Sequence, residues 1–179
     1  MRVEIRIAGF GGQGVVLIGN ILGKALVIYD DYEAVLTQAY GPEARGGASS
    51  SSLVISDELI DYPFVQHPDV LVLLSQEAYA RFRPEANQDT TVLIDEGLVI
   101  PWEDDHPYRI PATRMAEEMG QRRVANVIML GFLTAITGLV SRQAMEKAIE
   151  TTVKAKTVSM NLRAFAAGYQ YAPVRERTG

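Results

Sequence analysis

Apolar and polar positions alternate over Val3–Ala8, and the alternation breaks at Gly9, Gly11, Gly12 and Gly14 before apolar residues resume at helical spacing. That change of period predicts a strand at Val3–Ala8 and a helix over Gln13–Tyr29. A second strand, Glu33–Gln38, runs into Ala39–Gly47, a loop dense in glycine and proline. Serines 49–52 then lead into a third strand at Leu53–Ser56, with Asp57 and Glu58 placed to turn it back as a hairpin. Asp69–Leu74 is a continuous apolar run bounded by His-Pro and Ser-Gln, the pattern of a parallel strand covered on both faces. A helix over Gln76–Arg83 should stop at Pro84. Thr91–Asp95 reads as the next buried strand, and Tyr108–Pro111 as a short edge strand because of its proline. Everything beyond Pro111 has helical spacing. Thr113 is an N-cap candidate, Ser141 caps a helix with Ala144, Met145, Ala148 and Ile149 on one face, and Val158, Leu162, Phe165, Ala166 and Tyr169 form another stripe.

Strands alternating with helices, followed by helices alone, predict an α/β fold: an open Rossmann-like, mainly parallel sheet with helices on both faces and a C-terminal helical cap. No repeat, linker or low-complexity tract divides it, so residues 1–179 are expected to form one domain. In such sheets ligands sit beyond the carboxyl ends of the strands, where both glycine-rich loops fall. The uncharged run Val124–Val140 is shorter than the roughly 20 residues a membrane span needs. It reads as a helix that is buried or faces another subunit.

Charge and composition then exclude classes of chemistry. Seventeen Lys plus Arg against 22 Asp plus Glu, with no basic block, argue against nucleic acid as a partner. With no cysteine, the chain can supply neither a disulfide, a thiolate nucleophile nor a cysteine-ligated cluster, and any redox centre must belong to a partner. The start of the chain enters a strand at once, without a positive segment followed by an apolar one, so a cytoplasmic location is expected.

Gly9, Gly11 and Gly14 stand at G-x-G-x-x-G spacing between strand and helix. There a tight turn, close backbone approach and free N–H groups at the helix start make a phosphate cradle; the plainer reading is a bare βα turn. A dinucleotide site also needs an acid at the end of the second strand, about 20 residues on, for the ribose hydroxyls. Here the only acid, Glu33, lies at that strand's start, which disfavours NAD. The loop Tyr40–Gly47 holds four Gly or Pro residues around Glu43 and Arg45, more than a turn requires. His67 and His106, 39 residues apart and each before a proline, read as loop residues without co-ligands. Asp95 and Glu96 end a strand, a place for an active-site carboxylate; the plainer reading is a solvated pair. The serines lack a nucleophile elbow and read as hydroxyl donors or a polar edge strand.

Gly9–Gly14 together with Tyr40–Gly47, and with Asn126 ahead of Leu130 and Gly131, resembles the gamma subunit of the 2-oxoacid:ferredoxin oxidoreductases, from Val3 to about Tyr171. The resemblance implies one component of an enzyme that converts a 2-oxoacid, coenzyme A and oxidised ferredoxin into acyl-CoA, carbon dioxide and reduced ferredoxin. It implies a 2-oxoglutarate enzyme ahead of a pyruvate or branched-chain one. Thiamine diphosphate, Mg and iron–sulfur clusters would lie on the partner alpha and beta subunits, with a delta subunit in some complexes, and ferredoxin would meet the complex. Coenzyme A would be a co-substrate. By position in the resemblance, Gly11, Gly12, Gln13 and Gly14 form its phosphate cradle, with Gln13 donating from its amide, and Arg45, Gly46 and Gly47 line the same mouth. No catalytic or metal-binding residue is assigned to this chain, and no cofactor is expected to bind it tightly. Alone it should be inactive and could form a homodimer. The Ser49–Ser52 run departs from the family pattern. Two other readings stay open: a free-standing nucleotide-dependent oxidoreductase, and an assembly subunit whose glycine loops only pack.

Overall fold

The computed structural model describes residues 1–41 and 47–173. Six strands form one sheet in the order β2-β3-β1-β4-β5-β6, with β1 at Arg2–Gly9, β2 at Glu33–Ala39, β3 at Ser49–Ser56, β4 at Val70–Leu73, β5 at Thr91–Asp95 and β6 at Tyr108–Ile110. β1, β4, β5 and β6 pair in parallel, whereas β3 lies antiparallel between β1 and β2. β2 therefore runs with β1, and the sheet is parallel apart from β3. β6 is the edge strand that its proline implied.

The hairpin joins β2 to β3 through the glycine-rich loop, not β3 to a later strand through Asp57 and Glu58. The serines are also not an edge. Ser49–Ser52 pair with Gly9–Arg6 of β1, and Ser50–Ser52 also pair with β2. The helix above requires small side chains there. Helix α1 spans Val15–Lys24, and a Cβ added at Gly19 would come within 2.5 Å of Ser51. Ser51 Oγ is buried, donates to Val15 O at 2.9 Å and accepts from Gln38 Nε2 at 3.2 Å. The run thus lets α1 lie close on the sheet while the buried Ser51 hydroxyl keeps its partners.

Strand alternation divides the core. Ile5, Ile7, Leu53, Ile55, Val72 and Leu93 face α1 and the C-terminal helices, whereas Ala8, Leu71, Leu73, Val92 and Ile94 face α2, at Gln76–Phe82, together with Val99 of the loop after β5. The helical cap comprises α3 (Ala112–Glu118), α4 (Ala125–Thr137), α5 (Arg142–Thr152) and α6 (Val158–Tyr171). In α4 every residue from Asn126 to Thr134 is buried by the chain itself, which excludes the subunit-facing alternative for that run. A Cβ at Gly131 would strike the Phe165 carbonyl of α6, and one at Gly168 the Ile128 carbonyl of α4. The glycines bring these two helices to backbone contact. That approach turns the buried line of α6 onto Asn161, Ala164, Phe165 and Gly168, so of the expected stripe only Phe165 is fully covered.

Helix ends differ from expectation in specific ways. α1 gives way after Lys24 to a π-helical turn, Ala25–Tyr29. α2 stops at Phe82, and a 3-10 turn, Arg83–Glu85, carries the chain through Pro84. Pro111, not Thr113, occupies the N-cap of α3. Ser141 does cap α5, accepting from Ala144 N at 3.1 Å. No helix of the described residues is long and apolar enough to cross a membrane.

Candidate functional site

The carboxyl ends of β1, β4 and β5 open into a cavity of about 420 Å³. β1 ends at Gly9, and the chain turns through Phe10–Gly14 into α1, with Gly12 at φ 93° and Gly14 at φ 74°. These left-handed values are what favours glycine at both positions. Gly14 is also pinned from above: its carbonyl accepts from Asn126 Nδ2 at 3.3 Å, and a Cβ would collide with that amide. Gly9 leaves room for Gln13 Oε1. Gly11 differs, because nothing lies within 4 Å of where its Cβ would be and its φ is not positive. Packing does not require glycine at Gly11. A ligand approaching the backbone would.

Gln13 is committed to the protein. Its Nε2 donates to Leu74 O at 2.7 Å, and its Oε1 accepts from Phe10 N at 2.9 Å. The side chain fastens the turn to the end of β4, so it shapes the cradle instead of donating into it. Helix α1 begins at the αL residue Gly14, with no side-chain cap and no acid in its first turn. Its first N–H groups lack intrahelical partners and carry the positive end of the dipole.

The opposite wall comes from Gln121–Arg123 and the start of α4. Arg122 pairs with Glu117 at 3.3 Å, an exposed contact, and Arg123 stands next to it. Asp95 also lines the cavity but is buried, not solvated: its carboxylate accepts from Thr113 N at 3.0 Å, Thr113 Oγ1 at 2.7 Å and Gly97 N at 3.1 Å. Thr113 is thus the clamp on Asp95 and not a helix cap. The carboxylate orders the β5 end and is not free to act as a base. Glu96 is exposed, as are His67 and His106, and none of the three lines the cavity. Among the described residues no group of three or more acidic or histidine side chains could hold a metal ion.

The second glycine-rich loop leaves the sheet at the same edge. Gly9 pairs with Ser49, and Ala8 and Ala39 flank Ser50, so Gly41 and Gly47 emerge beside the β1 turn. Gly47 is exposed at φ 74° but does not line the cavity. Arg45 and Gly46 lie outside the described residues. In the sequence, Arg122 and Arg123 before an apolar run look like a solvated helix end. The paired charges next to an uncapped apolar helix were the available signal.

Outside the cavity lining, Asp105 holds the loop after β5 to α2 and the turn that follows it. It accepts from Arg83 Nε and Nη2 at 2.7 and 2.8 Å and from the Tyr79 hydroxyl. Hydrogen bonding from Arg83 holds the Asp105 carboxyl below its ordinary range, while burial pushes the Tyr79 hydroxyl up.

Comparison with known proteins adds three likenesses and a family. Residues 4–171 match the family described as pyruvate ferredoxin/flavodoxin oxidoreductase. The 2-oxoglutarate synthase subunit KorC of Methanocaldococcus jannaschii is 53% identical over 177 residues, covering 96% of this chain and 95% of that one. The keto/oxoacid ferredoxin oxidoreductase gamma subunit of Geobacter sulfurreducens is 38% identical with a TM-score of 0.85, covering 95% of each chain. The 2-oxoglutarate:ferredoxin oxidoreductase of Magnetococcus marinus, solved with 2-oxoglutarate, coenzyme A and succinyl-CoA bound, shares the fold. Its TM-score is 0.79 at 23% identity, over 94% of this chain and 30% of that one.

Proposed function

The chain belongs to the pyruvate ferredoxin/flavodoxin oxidoreductase family as a gamma-type subunit of an oxoacid:ferredoxin oxidoreductase, and from that premise we propose that it serves a cytoplasmic 2-oxoglutarate enzyme as the cradle for coenzyme A phosphate. The reaction takes 2-oxoglutarate, coenzyme A and oxidised ferredoxin to succinyl-CoA, carbon dioxide and reduced ferredoxin. The KorC likeness at 53% identity supports that oxoacid. Thiamine diphosphate, Mg and iron–sulfur clusters belong to the alpha and beta subunits in this reading, since the chain has no cysteine to ligate a cluster. Residues 1–179 then act as one gamma-type domain that binds and orients, without a catalytic side chain of its own.

The observation that carries the cradle is Gly11. It stands at the mouth of an uncapped helix, facing open space, where neither packing nor backbone conformation calls for glycine. A pyrophosphate on this turn meets the first N–H groups of α1, with Gly12 lining the cavity opposite Arg122 and Arg123 and with the Asp95 carboxylate already engaged by three hydrogen-bond donors. Coenzyme A suits the turn better than NAD, because the acid that would bind a nicotinamide ribose is missing from the end of β2.

Gly11→Asp tests this without disturbing the fold, since its side chain has room. The carboxylate would compete for the same N–H groups. Losing one charge-assisted contact, on the order of 1.5–3 kcal/mol, should raise the dissociation constant for coenzyme A by roughly ten- to a hundredfold in the assembled enzyme. A folded, assembled Gly11→Asp enzyme with unchanged coenzyme A affinity would leave the loop as packing only. That outcome would favour the assembly-subunit reading.

A further inference from the structure

Past the wall of Gln121, Arg123 and Asn126 lies a second cavity, of about 530 Å³, which shares those three residues with the first. Its lining combines an apolar surface, from Leu17, Val153 and Met160, with the cations Arg123, Lys154 and Lys156. Among the described residues, no carboxylate lines it.

The helix ends around this cavity point the same way. The first turns of α4 and α6 both contribute to it, and neither helix has a side-chain cap or an acid in its first turn. With three cations and no acid, the lining of this partly apolar cavity is uncompensated in charge. An inorganic ion would leave the apolar wall unused. An anion carried on an organic body would cover it.

We propose that this cavity is a second anion subsite, and that it takes the phosphomonoester of the same ligand whose pyrophosphate sits on the Gly11–Gly14 turn. In coenzyme A that group is the 3′-phosphate, and the inference rests on the coenzyme A reading of the turn. Lys154 and Lys156 pair with the phosphomonoester as flexible point charges. Arg123 lines both cavities and so spans the two anionic groups, and the apolar wall covers part of the nucleoside between them. The missing carboxylates make sense on this basis, because any acid on the rim would repel the ligand.

The test measures equilibrium binding of coenzyme A and of dephospho-coenzyme A to the assembled oxidoreductase by calorimetry. Lys154→Ala combined with Lys156→Ala removes two exposed side chains and should not disturb folding. The double variant should bind coenzyme A about tenfold more weakly, a figure discounted for solvent screening of exposed charges, and should bind dephospho-coenzyme A as the wild type does. Lys154→Arg with Lys156→Arg should restore most of the coenzyme A affinity. Equal weakening of both ligands, or no weakening of either while Gly11→Asp still weakens both, would overturn the subsite and leave the cradle standing. If Gly11→Asp also left coenzyme A binding unchanged, the cradle and the subsite would fall together.

Discussion

Gly14→Ala should destabilise the protein for two separable reasons. At φ 74° an L residue pays the left-handed penalty, about 1–2 kcal/mol. The new Cβ also collides with the Asn126 amide, which must move and surrender its bond to Gly14 O; overpacking of this kind costs about 1–3 kcal/mol. Alanine restricts the unfolded chain, which offsets about 0.4–1 kcal/mol. The net loss is about 1–4.5 kcal/mol, or roughly 2–18 °C in melting temperature for a chain of this size. Asn126→Ala alone loses the long bond to Gly14 and the bond from Val127 N, about 1–2 kcal/mol. In the double variant the collision is gone, so the combined loss should fall short of the sum of the two singles by at least about 1 kcal/mol. Urea unfolding of all four proteins measures the coupling. Strictly additive losses would show that Asn126 does not press on the turn, and that the joint between the cradle and α4 is misread.

Three further outcomes follow from the packing and the charges. Gly131→Ala places a methyl group on the Phe165 carbonyl, which is backbone and cannot turn aside, so α4 and α6 must part at a cost of about 1–3 kcal/mol in chemical denaturation. Leu133→Lys should abolish folding of the chain and not merely its assembly, because Leu133 is only 1% exposed within the chain; a folded monomer by circular dichroism would contradict this. The Asp105 carboxyl is held below its unfolded value, so it contributes stability above the ordinary aspartate value of 3.8 and loses it as pH falls through the lower folded value. Asp105→Asn should therefore cost about 2–4 kcal/mol at neutral pH and flatten the acid limb of the stability curve; an unchanged limb would remove Asp105 from the account.

The parts of the fold that were legible in the sequence are those where side-chain chemistry and backbone geometry agree. Thr91–Asp95 and the helix capped by Ser141 lie where apolar period and capping placed them. β3 was half hidden, because serine gives no apolar signal, and its burial comes from the demand of Gly19 for a small neighbour on a strand far away in sequence. The same cause moved the hairpin to the wrong side of β3. At the site, the glycine spacing located the turn, but the fate of Gln13 depended on Leu74, and that of Asp95 on Thr113. Such partners are brought together by the sheet order alone. The two cationic cavities were illegible for that reason: their walls join the β1 turn in one, and α1 in the other, to residues more than a hundred positions later.

Reconstitution of the assembled oxidoreductase with and without this chain tests the central claim most directly. Ferredoxin reduction would be followed with 2-oxoglutarate, pyruvate and a branched-chain oxoacid over a range of coenzyme A concentrations. The account predicts that the chain alone is iron-free and inactive, and that the complete complex prefers 2-oxoglutarate. It also predicts that the complex lacking this chain loses its saturable, submillimolar coenzyme A dependence (on the order of the usual Michaelis range). A complex that turns over coenzyme A equally well without the chain, or a chain that reduces ferredoxin by itself, would contradict it.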